Sequence, residues 1–119
     1  MKFFYVFLGG GFGSMLRLSI VEIFSYYSIK QTFLATMLAN VLSSLLFGII
    51  LGVELRHGLS DNAKAMFLIG ICGGFSTFSS FAGETFFMME GGEYMKMISY
   101  IVLSFVISWI AIFAGMKMV

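Results

Sequence analysis

Hydrophobic residues fill four long stretches of the chain, and polar residues gather in three short segments between them. The stretches cover residues 3–25, 33–53, 65–89 and 97–116, and the joints read SYYSIKQ, ELRHGLSDNAK and EGGEYMK. Each stretch reaches the roughly 20 apolar residues that an α-helix needs to cross a bilayer. The pattern therefore predicts an all-α membrane protein in which residues 1–119 form a single domain of four transmembrane helices.

Composition agrees with this interpretation and excludes several classes of function. Of the 119 residues, 60% are hydrophobic and only 11% are charged, too few to cover the surface of a soluble domain. The lone Cys72 excludes an internal disulfide and is expected to be a small packing residue. A net charge of +1 gives no indication of nucleic acid. With no Cys/His nucleophile pair, metal cluster or phosphate loop, the chain is not expected to be an enzyme.

The charged residues encode orientation only weakly. With four spans, one side of the membrane holds both termini and the 54–64 joint, with Lys2, Arg56, Lys64 and Lys117. The opposite side holds Lys30 and Lys96. This bias favours cytoplasmic termini under the positive-inside rule, but it is small enough to permit insertion in both orientations.

The third span contains the least helical segment of the chain, GICGGFSTFSSFAGE at residues 70–84. Each glycine costs a helix about 1 kcal/mol relative to alanine. Non-helical backbone at membrane depth survives only where protein or water surrounds it. Close helix packing would explain the glycine pair but not the four hydroxyls behind it. We therefore predict that the helix breaks at residues 73–76 and that the freed carbonyls and amides meet an ion, as in transporters with discontinuous helices.

Two rows of side chains follow the predicted break. At helical spacing the first row comprises Phe75, Phe78 and Phe81, and the second comprises Thr77, Ser80 and Glu84. A phenyl ring has a positive edge, so it can help to solvate an anion without binding it tightly.

The other spans carry isolated polar residues. Asn40 offers two N–H donors, either as a link between helices or in a wet pathway. Arg17 is expected near an aqueous mouth, because a central arginine costs at least about 2.5–3.5 kcal/mol. Glu22 lies five residues further and need not pair with it. Ser104 and Ser108 are expected to bond to their own i−4 carbonyls unless another span directs polar groups at them.

Glycines four residues apart predict close contact between helices. Gly9 and Gly13 form such a pair in the first span, and Gly48 and Gly52 form one in the second. Small residues at this spacing let two backbones approach closely in a membrane.

Three of these segments resemble the signatures of the Fluc (CrcB) fluoride-channel family. GGFGSMLRL at 10–18 resembles its G-G-x-G-A-x-x-R-Y signature, and ATMLANVLSSLLFG at 35–48 resembles its second-helix asparagine motif. GICGGFSTFSSFAGE resembles its G-F-x-G-G-L-T-T-F-S-T-F-S-x-E core. The resemblance covers all four spans. The departures are Ser14 for Ala, Leu18 for Tyr, Ser76 and Ser80 for Thr, and Ala82 for Ser.

The resemblance implies an antiparallel dual-topology dimer with two fluoride pores and one central structural sodium ion. It implies a fluoride pathway lined by Asn40, Phe78, Phe81, Thr77, Ser80, Glu84 and Ser108, with Ser104 the other possible serine of the fourth helix. It also implies that the backbone carbonyls of Gly73 and Ser76 hold the sodium, and that Arg17 lies near the vestibule. The expected function is passive fluoride export across the inner (plasma) membrane by a lipid-embedded homodimer. A heterodimer with a homologue is also possible.

Two other functions stay open at this point. A small multidrug antiporter coupled to protons would need a membrane carboxylate in the first span, and Glu22 is the only candidate there. A helper subunit of a larger membrane complex would produce no flux by itself.

Overall fold

The chain, described over residues 1–119 by a computed structural model, is all-helical. Helix α1 spans Lys2–Tyr26, α2 spans Thr32–His57 and α6 spans Tyr94–Lys117. Between α2 and α6 the third span, Asp61–Glu90, comprises α3 (Asp61–Lys64), a π-helical segment (Ala65–Cys72), α4 (Gly73–Phe75) and α5 (Phe78–Glu90). All four spans are long and apolar enough to cross a membrane, which confirms the predicted fold class.

Short polar turns join the spans, and the N-terminus lies at the same end of the bundle as the turn after α2, as predicted. Gly58 and Gly92 adopt a φ of 74°, which glycine tolerates better than other residues, just after α2 and α5. The hydroxyl of Ser60 accepts a hydrogen bond from the Ala63 amide and so caps α3. Lys2 pairs with Asp61 at 3.8 Å, so the N-terminus and the turn between α2 and α3 lie at the same end of the bundle.

Glycines make the closest helix contacts, as the sequence predicted. A Cβ added at Gly9 or Gly13 of α1 would collide with the backbone of the π-helical segment. A Cβ at Gly48 of α2 would collide with the Ile112 carbonyl of α6. The bundle is therefore built from two tight pairs, α1 with the first half of the third span and α2 with α6.

Large apolar side chains cover the outside of the bundle. Phe3 is 92% exposed, Phe7 is 75% exposed and Trp109 is 71% exposed. Cys72, in contrast, is buried and unpaired, which confirms its expected packing role. An outer surface of this kind needs lipid or another protein chain around it.

The break in the third span exists, but it lies later than predicted. Gly73 and Gly74 remain helical, and the backbone becomes extended at Ser76 (φ −78°, ψ 158°) and Thr77 (φ −146°, ψ 116°). Gly74 packs so closely against the Gly10 carbonyl of α1 that a Cβ would not fit there, so this glycine serves helix contact. The expected break at residues 73–76 is therefore wrong in position, since only its last residue leaves helical geometry.

The break also separates the phenylalanine row. Phe75 ends α4 and is buried, whereas Phe78 begins α5 and is 78% exposed. Helical spacing does not hold across an extended Ser76 and Thr77, so the prediction that Phe75 shares a face with Phe78 and Phe81 is wrong.

Candidate functional site

Asn40 of α2 holds the break in place. Its Oδ1 accepts a hydrogen bond from the Thr77 amide at 2.7 Å, and its Nδ2 donates to the Thr77 carbonyl at 3.3 Å. The Thr77 hydroxyl accepts from the Ser80 amide at 3.2 Å and so caps α5. These side chains supply the partners that the interrupted helix no longer provides, which makes the break tolerable at membrane depth.

The same bonds release two backbone carbonyls. In a continuous helix the Thr77 amide would donate to the Gly73 carbonyl, and the Ser80 amide would donate to the Ser76 carbonyl. Here both amides are turned to other acceptors, Asn40 Oδ1 and Thr77 Oγ1. The two residues predicted to hold a cation are thus among residues 73–76, whose carbonyls end the first half of the span and lose their usual helical donors.

An open cavity of about 330 Å³ lies beside the break, between α2, α5 and α6. It brings together predicted pathway residues from three helices and from the extended segment; its wall includes Asn40, Thr77, Phe78, Phe81, Ser104 and Ser108. The rings of Phe78 and Phe81 lie 6.2 Å apart. Neutral hydroxyl and amide groups therefore share one cavity with the edges and faces of two aromatic rings.

The two serines of α6 both line this cavity. Ser104 is buried and its hydroxyl has no hydrogen-bond partner. Ser104 thus makes no bond to its own i−4 carbonyl, and the exception stated for it applies, because Asn40 of α2 and Thr77 of the break share the cavity wall with it.

Glu84 lies beyond Phe81 in a cluster that the sequence analysis missed. Its carboxylate accepts hydrogen bonds from the Thr36 hydroxyl at 2.6 Å and the Tyr100 hydroxyl at 2.7 Å. Helical spacing in the sequence could have indicated both partners of Glu84, because Thr36 precedes Asn40 by one turn and Tyr100 precedes Ser104 by one turn. The Tyr100 ring also contacts the Phe81 ring, with centroids 5.1 Å apart.

A second cavity of about 300 Å³ opens at the end of the bundle that holds Lys30 and Lys96. Glu84 forms part of its wall. Lys96 lies 4.8 Å from the centre of the Phe33 ring and 3.5 Å from Glu93. A chain of contacts through Phe81, Tyr100 and Glu84 thus connects the first cavity with a mouth that contains two lysines.

Other candidate residues, among them Ser80, Arg17 and Glu22, lie outside both cavities. Ser80 is exposed on α5, and its pathway role stays a prediction. Arg17 is partly buried on α1 and forms no ion pair with the exposed Glu22. Since α1 does not contact α5 or α6, the carboxylate required by an antiporter lies away from the cavity. The vestibule position of Arg17 also stays a prediction.

Comparison with known proteins identifies similar chains over nearly the whole length. Residues 4–116 match the family described as CrcB-like protein, Camphor Resistance (CrcB). A protein of Azobacteroides pseudotrichonymphae is 35% identical over 117 residues, covering 96% of this chain and 92% of its own. Proteins of Phocaeicola vulgatus and Flavobacterium psychrophilum are each 33% identical over 114 residues, covering 95% of this chain and 93% and 92% of their own. All three relatives are described as fluoride-specific ion channel FluC.

Proposed function

The chain belongs to the CrcB-like protein family, and we propose that it is a fluoride-selective channel that exports fluoride passively across the cell's inner (plasma) membrane. The supporting observation is the cavity in which Asn40, Thr77 and Ser108 lie beside Phe78 and Phe81. Its polar wall consists of neutral donors, at the depth where a helix is interrupted.

The chemistry of this wall suits fluoride. The ion is small and strongly hydrated, so a pore must replace its water with hydrogen-bond donors. Conduction also requires that no site holds the ion too firmly. Amide and hydroxyl groups with phenyl edges satisfy both conditions better than a ring of fixed positive charges would.

Flux from liposomes tests this function directly. The purified single chain is reconstituted into vesicles loaded with potassium fluoride, and efflux is followed with a fluoride electrode after addition of valinomycin. Vesicles loaded with chloride provide the comparison. Fluoride efflux far above chloride efflux is expected. Equal rates for the two anions would contradict selectivity, and no efflux of either would contradict a self-sufficient channel.

We further propose that the working unit is an antiparallel homodimer with two pores. Phe78 is 78% exposed and its cavity is open on one side, so a single chain supplies only part of a pore wall. A second, inverted copy would close it, and the small charge bias permits that inversion. A heterodimer with a homologue would close it equally well, and the single-chain liposome experiment distinguishes the two.

Chemical labelling of a thiol at one end of the bundle measures whether the chains lie in both orientations. Lys117 ends α6 and is exposed, so Lys117→Cys offers a thiol at one end of the bundle, while Cys72 is buried. A membrane-impermeant maleimide should label about half of these thiols in sealed vesicles and the rest after permeabilisation. All-or-none labelling would show one fixed orientation.

A structural sodium ion would fit at the axis of such a dimer. The carbonyls of Gly73 and Ser76 are hard oxygen donors whose helical partners are diverted, and unwound carbonyls coordinate sodium in other membrane proteins. One chain offers two such oxygens and its inverted copy would double them. A Cβ at Gly73 would meet nothing within 4 Å in the single chain, which leaves this face free for a partner. Dimer stability in detergent should fall when sodium is replaced by N-methylglucamine, and an unchanged dimer would contradict the site.

A further inference from the structure

The carbonyl of Cys72, just before the break in the third span, accepts three hydrogen bonds. The Ser76 amide donates to it at 3.0 Å, as in a regular helix, and the Ser76 hydroxyl donates at 2.8 Å. The third donor belongs to another helix, because the Ser43 hydroxyl of α2 donates at 2.9 Å. A carbonyl oxygen has two lone pairs, so the two donors of Ser76 already satisfy it. The bond from Ser43 therefore does more than fill an empty acceptor.

Ser43 makes this bond although its own helix offers an acceptor. A serine in a membrane helix commonly donates to its own i−4 carbonyl, which here would be that of Ala39. Ser19 of α1 makes a bond of that kind, to the Met15 carbonyl. Ser43 is only 3% exposed, and its hydroxyl is directed instead at the third span, 29 residues further along the chain.

Two side chains of α2 hold the two ends of the break. Ser43 follows Asn40 by three residues, so both lie on one face of α2. Ser43 bonds to the carbonyl of Cys72, the residue before the 73–76 segment. Asn40 bonds to the amide and the carbonyl of Thr77, the residue after it. A segment of four residues is thus fixed at both of its ends by the same face of one helix.

This segment carries the carbonyls that lack their usual helical donors. Gly73 and Ser76, the first and last residues of the segment, are the proposed sodium ligands. Both line a further cavity of about 320 Å³ between α2, the third span and α6, and Ser43 lines it with them. Carbonyls hold a cation well only when their spacing is set before the ion arrives, since ordering them on binding costs affinity.

We propose that Ser43 is a positioning residue of the cation site and acts through the backbone of the third span. With three donors on it, the Cys72 oxygen is not free to coordinate an ion, so Gly73 provides the first available carbonyl. The same bond fixes the start of the 73–76 segment and therefore the direction in which its carbonyls point. This inference rests on the sodium site proposed above and adds a residue of α2 to it.

A sodium titration of stability distinguishes positioning from helix packing. The purified protein is melted in detergent at increasing sodium chloride, with N-methylglucamine chloride keeping the ionic strength constant. An ion that binds only the folded assembly raises its stability. In Ser43→Ala the sodium concentration that gives half of this stabilisation should rise about tenfold, which corresponds to about 1.4 kcal/mol. The melting temperature in N-methylglucamine alone should change little, because Ser76 still donates twice to Cys72.

Selectivity among cations provides a second measurement. In the unaltered protein, sodium should stabilise at lower concentration than potassium, because the spacing of the carbonyls suits one ion size. In Ser43→Ala the ratio of the two half-stabilising concentrations should fall towards one. Ser43→Cys fills nearly the same space with a weaker donor, so its sodium requirement should lie between those of the other two proteins. This variant also carries the test if Ser43→Ala does not fold.

Ser19→Ala is the matched control, since it removes an exposed serine hydroxyl that bonds within its own helix. It should titrate with sodium like the unaltered protein. If both Ser43 variants do so too, the positioning role is wrong. It is equally wrong if Ser43→Ala lowers the melting temperature by the same amount with and without sodium, because Ser43 then serves packing alone. If sodium does not stabilise even the unaltered protein, the sodium site itself is refuted, and the role of Ser43 with it.

Discussion

Replacement of Asn40 by aspartate distinguishes a link between helices from a wall of the anion pathway, and it does so with almost no change of shape. In Asn40→Asp one carboxylate oxygen can still accept the Thr77 amide, the bond that measures 2.7 Å. The other oxygen replaces Nδ2 and faces the Thr77 carbonyl, to which Nδ2 donates at 3.3 Å. The break thus keeps its stronger bond and loses the weaker one, while the cavity wall gains a negative charge.

The loss of the hydrogen bond and the gain of a negative charge differ in the size of their effects. Loss of one neutral hydrogen bond costs about 1 kcal/mol of stability, with some addition from two opposed oxygens. For an ion in the cavity, two like charges about 4 Å apart repel by about 4 kcal/mol at an effective dielectric constant of about 20. Each 1.36 kcal/mol on a barrier slows a rate about tenfold, so fluoride efflux should fall by about three orders of magnitude.

The predicted fall in fluoride efflux from liposomes is measured with a fluoride electrode. Size-exclusion chromatography in detergent checks that the variant is still assembled. Asn62→Asp is the control, because Asn62 is the other asparagine of the chain and is exposed on α3. Efflux of assembled Asn40→Asp within tenfold of the unaltered chain would refute the reasoning. Asn40 would then be a link between helices and not a wall of the pathway.

Four further predictions follow from other contacts. Phe78→Ile and Phe81→Ile keep bulk but remove the ring, so each should lower fluoride efflux sharply while the dimer persists on size exclusion; unchanged efflux in both would remove the phenyl-edge argument. Tyr100→Phe deletes the 2.7 Å bond to the Glu84 carboxylate and should cost about 1.5–3 kcal/mol of unfolding free energy in denaturant titrations. Lys96→Gln should slow efflux at low ionic strength and not at high salt, because salt screens the attraction of an exposed charge for the anion; a deficit independent of salt would contradict electrostatic capture. Gly48→Ala would drive a Cβ into the Ile112 carbonyl and should cost about 1–3 kcal/mol in the same titrations.

Much of the fold follows from the sequence, because it depends on properties that are local along the chain. Each observed span extends the predicted one by one to four residues at each end, since hydropathy and length alone decide where a helix can cross a bilayer. The glycine pairs also predicted the tight contacts, because a missing side chain permits close approach wherever the partner lies. The existence of a break in the third span is encoded in the same way.

The tertiary structure alone decided where the break lies and which groups surround it. Asn40 is 37 residues from Thr77, and its two bonds place the extended backbone at Ser76 and Thr77, after the glycines that suggested it. Thr36 and Tyr100 belong to the site only because three helices bring them to Glu84. The local sequence pattern indicates how readily a segment can leave helical geometry. The partners that satisfy its backbone groups come from other helices, and at membrane depth only those partners make one position of the break stable.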